Sequence, residues 1–163
     1  MKSKRILMIP LDERPCNYRF PLLMPKAGFT LAMPPKELMG LKKRPGDTEG
    51  LANWLLENAA AADYAVVAMD TLIYGGLIPS RLHGESEKEL RARADVLRRL
   101  KEKNPLLKIF AFQTVMRCPC YSLSDEEPDY YADCGTELHL YGRYSHKERL
   151  GALTERKRPT LKG

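Results

Sequence analysis

The sequence has no apolar run near the roughly 20 residues that a membrane-crossing helix needs. Met1-Lys2-Ser3-Lys4-Arg5 leads into only six apolar residues, Ile6 to Leu11, before Asp12. That stretch is too short for the apolar part of an export signal, and no small-residue cleavage site follows. The expectation is a cytoplasmic protein with no membrane partner. Phosphate-binding glycine fingerprints are also missing: neither GxGxxG nor GxxxxGK[ST] occurs. There is no GxSxG nucleophile elbow. Cysteines number four, Cys16, Cys118, Cys120 and Cys134, and without an export signal they are expected as free thiols. Cys118-Pro119-Cys120 has one intervening residue where zinc pairs usually have about two to four, and no Cys/His cluster accompanies it. No metal and no cofactor are expected. Histidines are few: His83 lies near a predicted strand end, while His139 and His146 lie in the last helical region.

Positive charge is present, but in one place. Of the net +6, the segment from residue 143 to 163 carries seven Lys/Arg against two Glu, a net of +5, leaving +1 for the rest. A basic tail of this kind is usually solvated. No aromatic-basic platform for single-stranded nucleic acid goes with it, so no specific nucleic-acid partner is expected. The tail, residues 151–163, is expected to lack regular structure. Residues 1–150 are expected to form one α/β domain, which is the natural prior for 163 residues.

What the sequence does contain is alternation. Arg5 to Leu11 (RILMIPL), Tyr64 to Met69 (YAVVAM) and Lys108 to Val115 (KIFAFQTV) are continuous apolar runs, and Phe29 to Met33 (FTLAM) is a weaker one. Such runs suit strands buried on both faces of a parallel sheet. Between them stand helical patterns. Asp47 is placed to cap a helix reaching Ala62, with Leu51, Trp54, Leu55, Asn58 and Ala59 on one face. Ser86 and Glu89 have capping-box spacing for a helix from Glu87 to Lys103, which Asn104-Pro105 stops. Ser124 and Glu127 have the same spacing, predicting a helix with Tyr130, Cys134, Leu138 and Tyr141 inward. Pro21 and Pro25 leave only a short or irregular helix after the first strand. The order β-α-β-α-β-α-β-α demands a parallel sheet of about four strands with right-handed crossovers. It fits an open doubly wound sheet, and equally the first half of a (β/α)8-type barrel. An uncovered parallel edge would invite self-association.

Ligands of parallel sheets bind outside the carboxyl ends of the strands. The residues there are polar in three places. Asp12 and Asp70 are each the first charged residue after a buried strand, on rigid backbone beside apolar walls. That placement suits a general acid or base, so both are candidate catalytic carboxylates. Asp12 is equally suited to an ion pair with Arg14, Arg81 or Arg117 that ties loops together, and Asp70 to capping a turn. Arg14, Arg81 and Arg117 can hold an anion with a guanidinium fork. Asn17, Thr71 and Thr114 can hydrogen-bond a hydroxylated ligand. Leu72 to Pro79 is apolar for a loop. Gly75-Gly76 there permits close backbone approach and would present Tyr74, so the segment reads as a pocket wall.

The stretches Ile9-Pro-Leu-Asp-Glu-Arg-Pro-Cys-Asn17 and Asp70-Thr-Leu-Ile-Tyr-Gly-Gly-Leu-Ile-Pro-Ser-Arg81 resemble a bacterial protein family of unknown function. Pro34-Pro35 with Glu37-Leu38-Met39-Gly40, and Ser124 to Tyr131, are similar to the same family, so the likeness covers about Arg5 to Glu148. It implies a cytoplasmic protein longer than this chain, of which these residues resemble the N-terminal part. The architecture looks like that of sugar-processing barrel enzymes, but fold does not fix function. The functional expectation is therefore an enzyme acting on a small hydroxylated or anionic substrate, in its most concrete form a glycosidase-like hydrolase using Asp12 and Asp70. The alternatives are a non-catalytic anion-binding module and an inactive fragment.

Overall fold

The computed structural model of the protein describes residues 3–24 and 27–152. Four strands form one sheet: β1 (Lys4–Ile9), β2 (Phe29–Ala32), β3 (Tyr64–Ala68) and β4 (Lys108–Phe112). All three pairings are parallel, and the order across the sheet is β2-β1-β3-β4. The four-stranded parallel α/β architecture read from the alternation is thus present. β1 lies between β2 and β3, so the chain winds outward from the centre in both directions, as in an open doubly wound sheet. In a (β/α)8 barrel β2 would instead lie beside β3.

The helices are α1 (Arg19–Leu23), α2 (Thr48–Asn58), α3 (Met69–Tyr74), α4 (Pro79–Leu82), α5 (Glu87–Ala94), α6 (Val96–Lys103) and α7 (Tyr131–Arg149). Their starts follow local chemistry. The Asp47 carboxylate accepts from the Gly50 amide at 2.9 Å and caps α2. Ser86 and Glu89 form the reciprocal capping box of α5. The single helix expected over 87–103 is divided at Asp95, whose carboxylate turns back to Arg98. α1, with Pro21 at its middle position, has five residues and buries none of them.

Residues paired across a parallel register share a face. Leu7, Ile9, Ala65 and Val67 face Leu51 and Leu55 of α2 and Val96 and Leu100 of α6, all buried, and these make the core. The opposite face carries Ile6, Met8, Leu31 and Val66, which are only half-buried, and Phe29 and Phe110, which are exposed. The apolar runs had suggested strands buried on both faces. Among the described residues the buried sides of α2 and α6 pack on the first of these faces, and β4 is exposed at four of its five residues.

The chain divides into two units at Thr114/Val115. The division falls inside the domain expected over 1–150. In the second unit, α7 begins at Tyr131, seven residues after the Ser124 that was expected to cap it. Its inward residues are Tyr131 and Gly135, whereas Tyr130, Leu138 and Tyr141 are exposed. The stripe is offset by one residue because Gly135 admits the backbone of Tyr121. A Cβ at Gly135 would stand 2.4 Å from the Tyr121 carbonyl oxygen. Beside it Ser122 accepts from the Thr136 amide at 3.1 Å. Of the tail expected over 151–163, residues 153–163 lie outside the described residues.

Candidate functional site

The point where the winding reverses lies between β1 and β3, and parallel sheets bind their ligands beyond the strand ends at such a point. The segments that follow these two strands are the ones that carry Asp12 and Asp70.

Asp12 is 4% exposed, and its carboxylate is fully engaged. Oδ2 accepts from Arg14 Nε at 2.8 Å and from Arg14 Nη2 at 2.5 Å. Oδ1 accepts from the Arg14 amide at 3.0 Å and from Asn17 Nδ2 at 2.7 Å. Of the two roles weighed for Asp12, the ion pair with Arg14 is formed. Burial alone pushes its carboxyl up. The Arg14 guanidinium, the Asn17 amide and the Arg14 backbone together outweigh burial and hold it below the usual carboxylate range. Asp12 is therefore a fixed anion at neutral pH. It aims Arg14, which keeps 43% of its side chain open to solvent.

Asp70 is 1% exposed. It stands in the first turn of α3, because a helix forms where an apolar loop was expected over Leu72 to Pro79. The apolar residues of that stretch pack inward: Leu72, Ile78 and Pro79 are buried. Asp70 Oδ2 accepts from the Thr114 amide at 3.0 Å, which pins the end of the β4 segment to α3. Thr71, wholly buried, donates its hydroxyl to the Leu11 carbonyl at 2.5 Å. α3 ends at Gly75, in the left-handed conformation with φ 83°, and Gly76 donates to the Asp70 carbonyl at 3.2 Å. Tyr74 is half-buried and stacks its ring on His83, with centroids 4.6 Å apart.

The expected site residues thus fall into groups. Asp12, Arg14 and Asn17 form one hydrogen-bonded cluster, and Asp70, Thr71, Gly75, Gly76 and Thr114 form a second. The Thr71–Leu11 bond ties the second group to the β1 loop. Arg81 lies half-buried in the last turn of α4. Arg117 belongs to the second unit, where its guanidinium carbon sits 5.8 Å from the centre of the Tyr121 ring.

Sequence reasoning missed a third segment at this edge. Leu41 and Arg44 pair through two backbone bonds and close a two-residue turn over Lys42-Lys43. The Lys42 amide donates to Glu13 Oε1 at 2.9 Å, and Lys42 has φ 52°, a value a lysine seldom adopts. The stem of this turn meets α3 backbone to backbone. The Gly46 amide donates to the Gly75 carbonyl at 2.9 Å, and a Cβ at Gly40 would stand 2.7 Å from that same oxygen. The signal was there as two glycines, Gly40 and Gly46, bracketing Lys-Lys-Arg-Pro.

An open cleft of about 880 Å³ lies at the opposite, N-terminal edge of the sheet, beside Lys4, Asp63, Tyr64, Asn104 and Lys108. Its polar groups are largely occupied with each other. Lys4 pairs with Asp63 at 2.7 Å, and Asn104 bonds the carbonyls of Ala59 and Ala62. Parallel sheets place their ligands at the other end.

Among the described residues no group of three or more His, Cys, Asp or Glu is placed to hold a metal ion, and no helix is long and apolar enough to cross a membrane. The four cysteines are free thiols. Cys118 Sγ lies 3.6 Å from the Tyr131 hydroxyl, and this contact, with burial, pushes that phenol up to about 12.

The chain belongs to the family described as Protein of unknown function (DUF4127), which matches residues 6–163. That match runs to the last residue, further than the likeness to Glu148 carried by the motifs. No curated protein and no solved structure matches the chain.

Proposed function

We propose that this member of the family binds a small hydroxylated, anionic molecule in the crevice between the ends of β1 and β3, with Arg14 as the anion receptor. The observation that carries the reading is the double contact of the buried Asp12 carboxylate on a half-open Arg14. A guanidinium oriented by a buried carboxylate and still 43% exposed is pre-aimed. A bound anion then meets it with little loss of side-chain freedom. Asp70 and Tyr74, set on α3, are the further polar contacts on the β3 side.

Turnover of the bound molecule is the stronger form of the proposal. Glycoside hydrolysis passes through a cation-like transition state flanked by two carboxylates. Asp12, held ionised by its four hydrogen bonds, suits the charge-stabilising role. Asp70, buried at the β3 end, is the second carboxylate of the pair.

A thermal-shift screen of sugars, sugar acids, sugar phosphates and inorganic anions tests the binding claim. A ligand at about 100 times its dissociation constant stabilises by about 2.7 kcal/mol, which moves the midpoint by several degrees in a chain of this size. The expected result is a shift with an anionic sugar that Arg14→Gln abolishes. An equal shift in Arg14→Gln, or none with any class, removes the proposal. For turnover, release of a chromogenic aglycone should be lost in both Asp12→Asn and Asp70→Asn.

A further inference from the structure

We infer that Cys118 and Cys120 form a thiol–disulfide exchange site, at which a small disulfide of the glutathione type is reduced while the two cysteines close into a disulfide of their own. Both lie in the second unit, in a segment without regular structure, and both are exposed. Pro119 between them is buried. The middle of the pair is thus anchored, and the cysteines on either side are open to solvent. The remaining two cysteines are placed differently. Cys16 belongs to the first unit, and the half-buried Cys134 donates its thiol to the Tyr130 carbonyl at 3.2 Å.

The spacing permits the bond. Proline fixes its own φ and biases the residue before it to extended backbone. Two residues along an extended or polyproline chain separate their Cα atoms by about 6.2–6.6 Å. Disulfides span roughly 4.4–6.8 Å between Cα atoms, so the ring closes near the far end of that range. A disulfide made at the edge of its geometry is the more easily reduced. Such a pair suits exchange better than a permanent cross-link.

The two sulfurs differ in their surroundings. Cys118 is held to α7 at two points: its Sγ lies 3.6 Å from the Tyr131 hydroxyl, and its carbonyl oxygen 3.1 Å from His139 Nδ1. Cys120 makes no side-chain hydrogen bond among the described residues. Cys120 is therefore the entry thiol. Its sulfur attacks the small disulfide RS–SR, which forms Cys120–S–SR and releases one RSH. Cys118 Sγ then attacks Cys120 Sγ, closes the ring and expels the second RSH. Two electrons pass from the cysteine pair to the small disulfide, and the two thiol protons leave on RSH.

Peptide mapping by mass spectrometry tests this on the full chain, after incubation with oxidised glutathione and alkylation of the remaining thiols. Wild type is expected to give a Cys118–Cys120 disulfide that retains no glutathione, and excess reduced glutathione should reopen it. Cys118→Ser should stop at the mixed disulfide and keep glutathione on Cys120. Cys120→Ser should take glutathione up several-fold more slowly, at Cys118. Both substitutions fall at exposed positions, where folding is little affected. A wild type that forms no bond between Cys118 and Cys120, or that bridges either of them to Cys16 or Cys134, overturns the inference. So does equal uptake by the two serine variants, or a disulfide that reduced glutathione leaves closed.

Discussion

The Thr71 hydroxyl, at the start of α3, donates to the carbonyl of Leu11, 2.5 Å away and 60 residues earlier in the chain. One buried bond thereby couples the two loops on which the proposed crevice rests. Thr71→Val keeps the shape and removes the donor, leaving the half-buried Leu11 carbonyl without its partner. The expected cost is about 1–3 kcal/mol, read as a lower denaturant midpoint at unchanged slope. Thr71→Ser keeps the hydroxyl and should recover most of it. Equal midpoints for Thr71→Val and wild type would show that the bond does not hold the loops.

Asp12 should make stability depend on pH. Its folded pKa is depressed, by contacts that outweigh burial. Its contribution is therefore fully present above the unfolded value of about 3.9, and it is lost as pH falls through the folded value. In Asp12→Asn the charge and that dependence both go. The gap in unfolding free energy between wild type and Asp12→Asn is expected to be widest at neutral pH and to close on acidification below about pH 4. Urea titrations at several pH values measure it. A gap constant with pH would mean that Asp12 contributes no charge-dependent stability.

Gly75 and Gly28 have similar positive φ, 83° and 73°, but different surroundings. A Cβ at Gly28 has nothing within 4 Å, whereas one at Gly75 would stand 2.6 Å from the Gly46 nitrogen and 2.8 Å from Pro45 Cβ. Gly28→Ala should cost about 1–2 kcal/mol, the backbone contribution alone. Gly75→Ala adds a collision with main chain, so a further cost of about 1–3 kcal/mol is expected. Loss of binding should accompany it, since α3 carries Asp70. Equal melting temperatures for the two variants would contradict the close contact.

Two glycines of α7 should respond with opposite signs. Gly142 has open space where a Cβ would go, and Gly142→Ala is expected to stabilise the helix by about 0.5–1 kcal/mol. Gly135→Ala drives a methyl into the Tyr121 carbonyl and should separate helix from loop. The Thr136 amide, which donates to Ser122 at 3.1 Å, then exchanges with solvent faster. Slowed or unchanged exchange at Thr136 would count against that packing.

How much of this could be read from the residues varies with the range of the interactions. Apolar runs and caps are local, and β1, β3, α2 and the capping box of α5 stand where the pattern put them. The strand order is not local, and the alternation fitted an open sheet and a half barrel equally well. Which side of a strand is covered is not local either: KIFAF reads as a buried strand and forms the last strand of the sheet. Leu72 to Pro79 looked like a loop because Gly75-Gly76 interrupts it, yet six residues suffice for α3 when Gly75 closes it. The Asp12–Arg14 pair was visible at two residues' separation. The contacts of Lys42 with Glu13 and of Gly46 with Gly75 were not, since they join segments 29 residues apart by numbering alone.

At the meeting of Gly40, Gly46 and Gly75 the spacing between segments is set by peptide groups in direct contact, with no side chain between them. No substitution can tune such a gap finely, because every residue other than glycine is already too large. Segment length then becomes the sensitive variable. One residue inserted or deleted between Gly40 and Gly46 would displace the Lys42 amide from Glu13. Any redesign of this crevice therefore has to treat 40–46 as a piece of fixed length and vary the side chains on its rim.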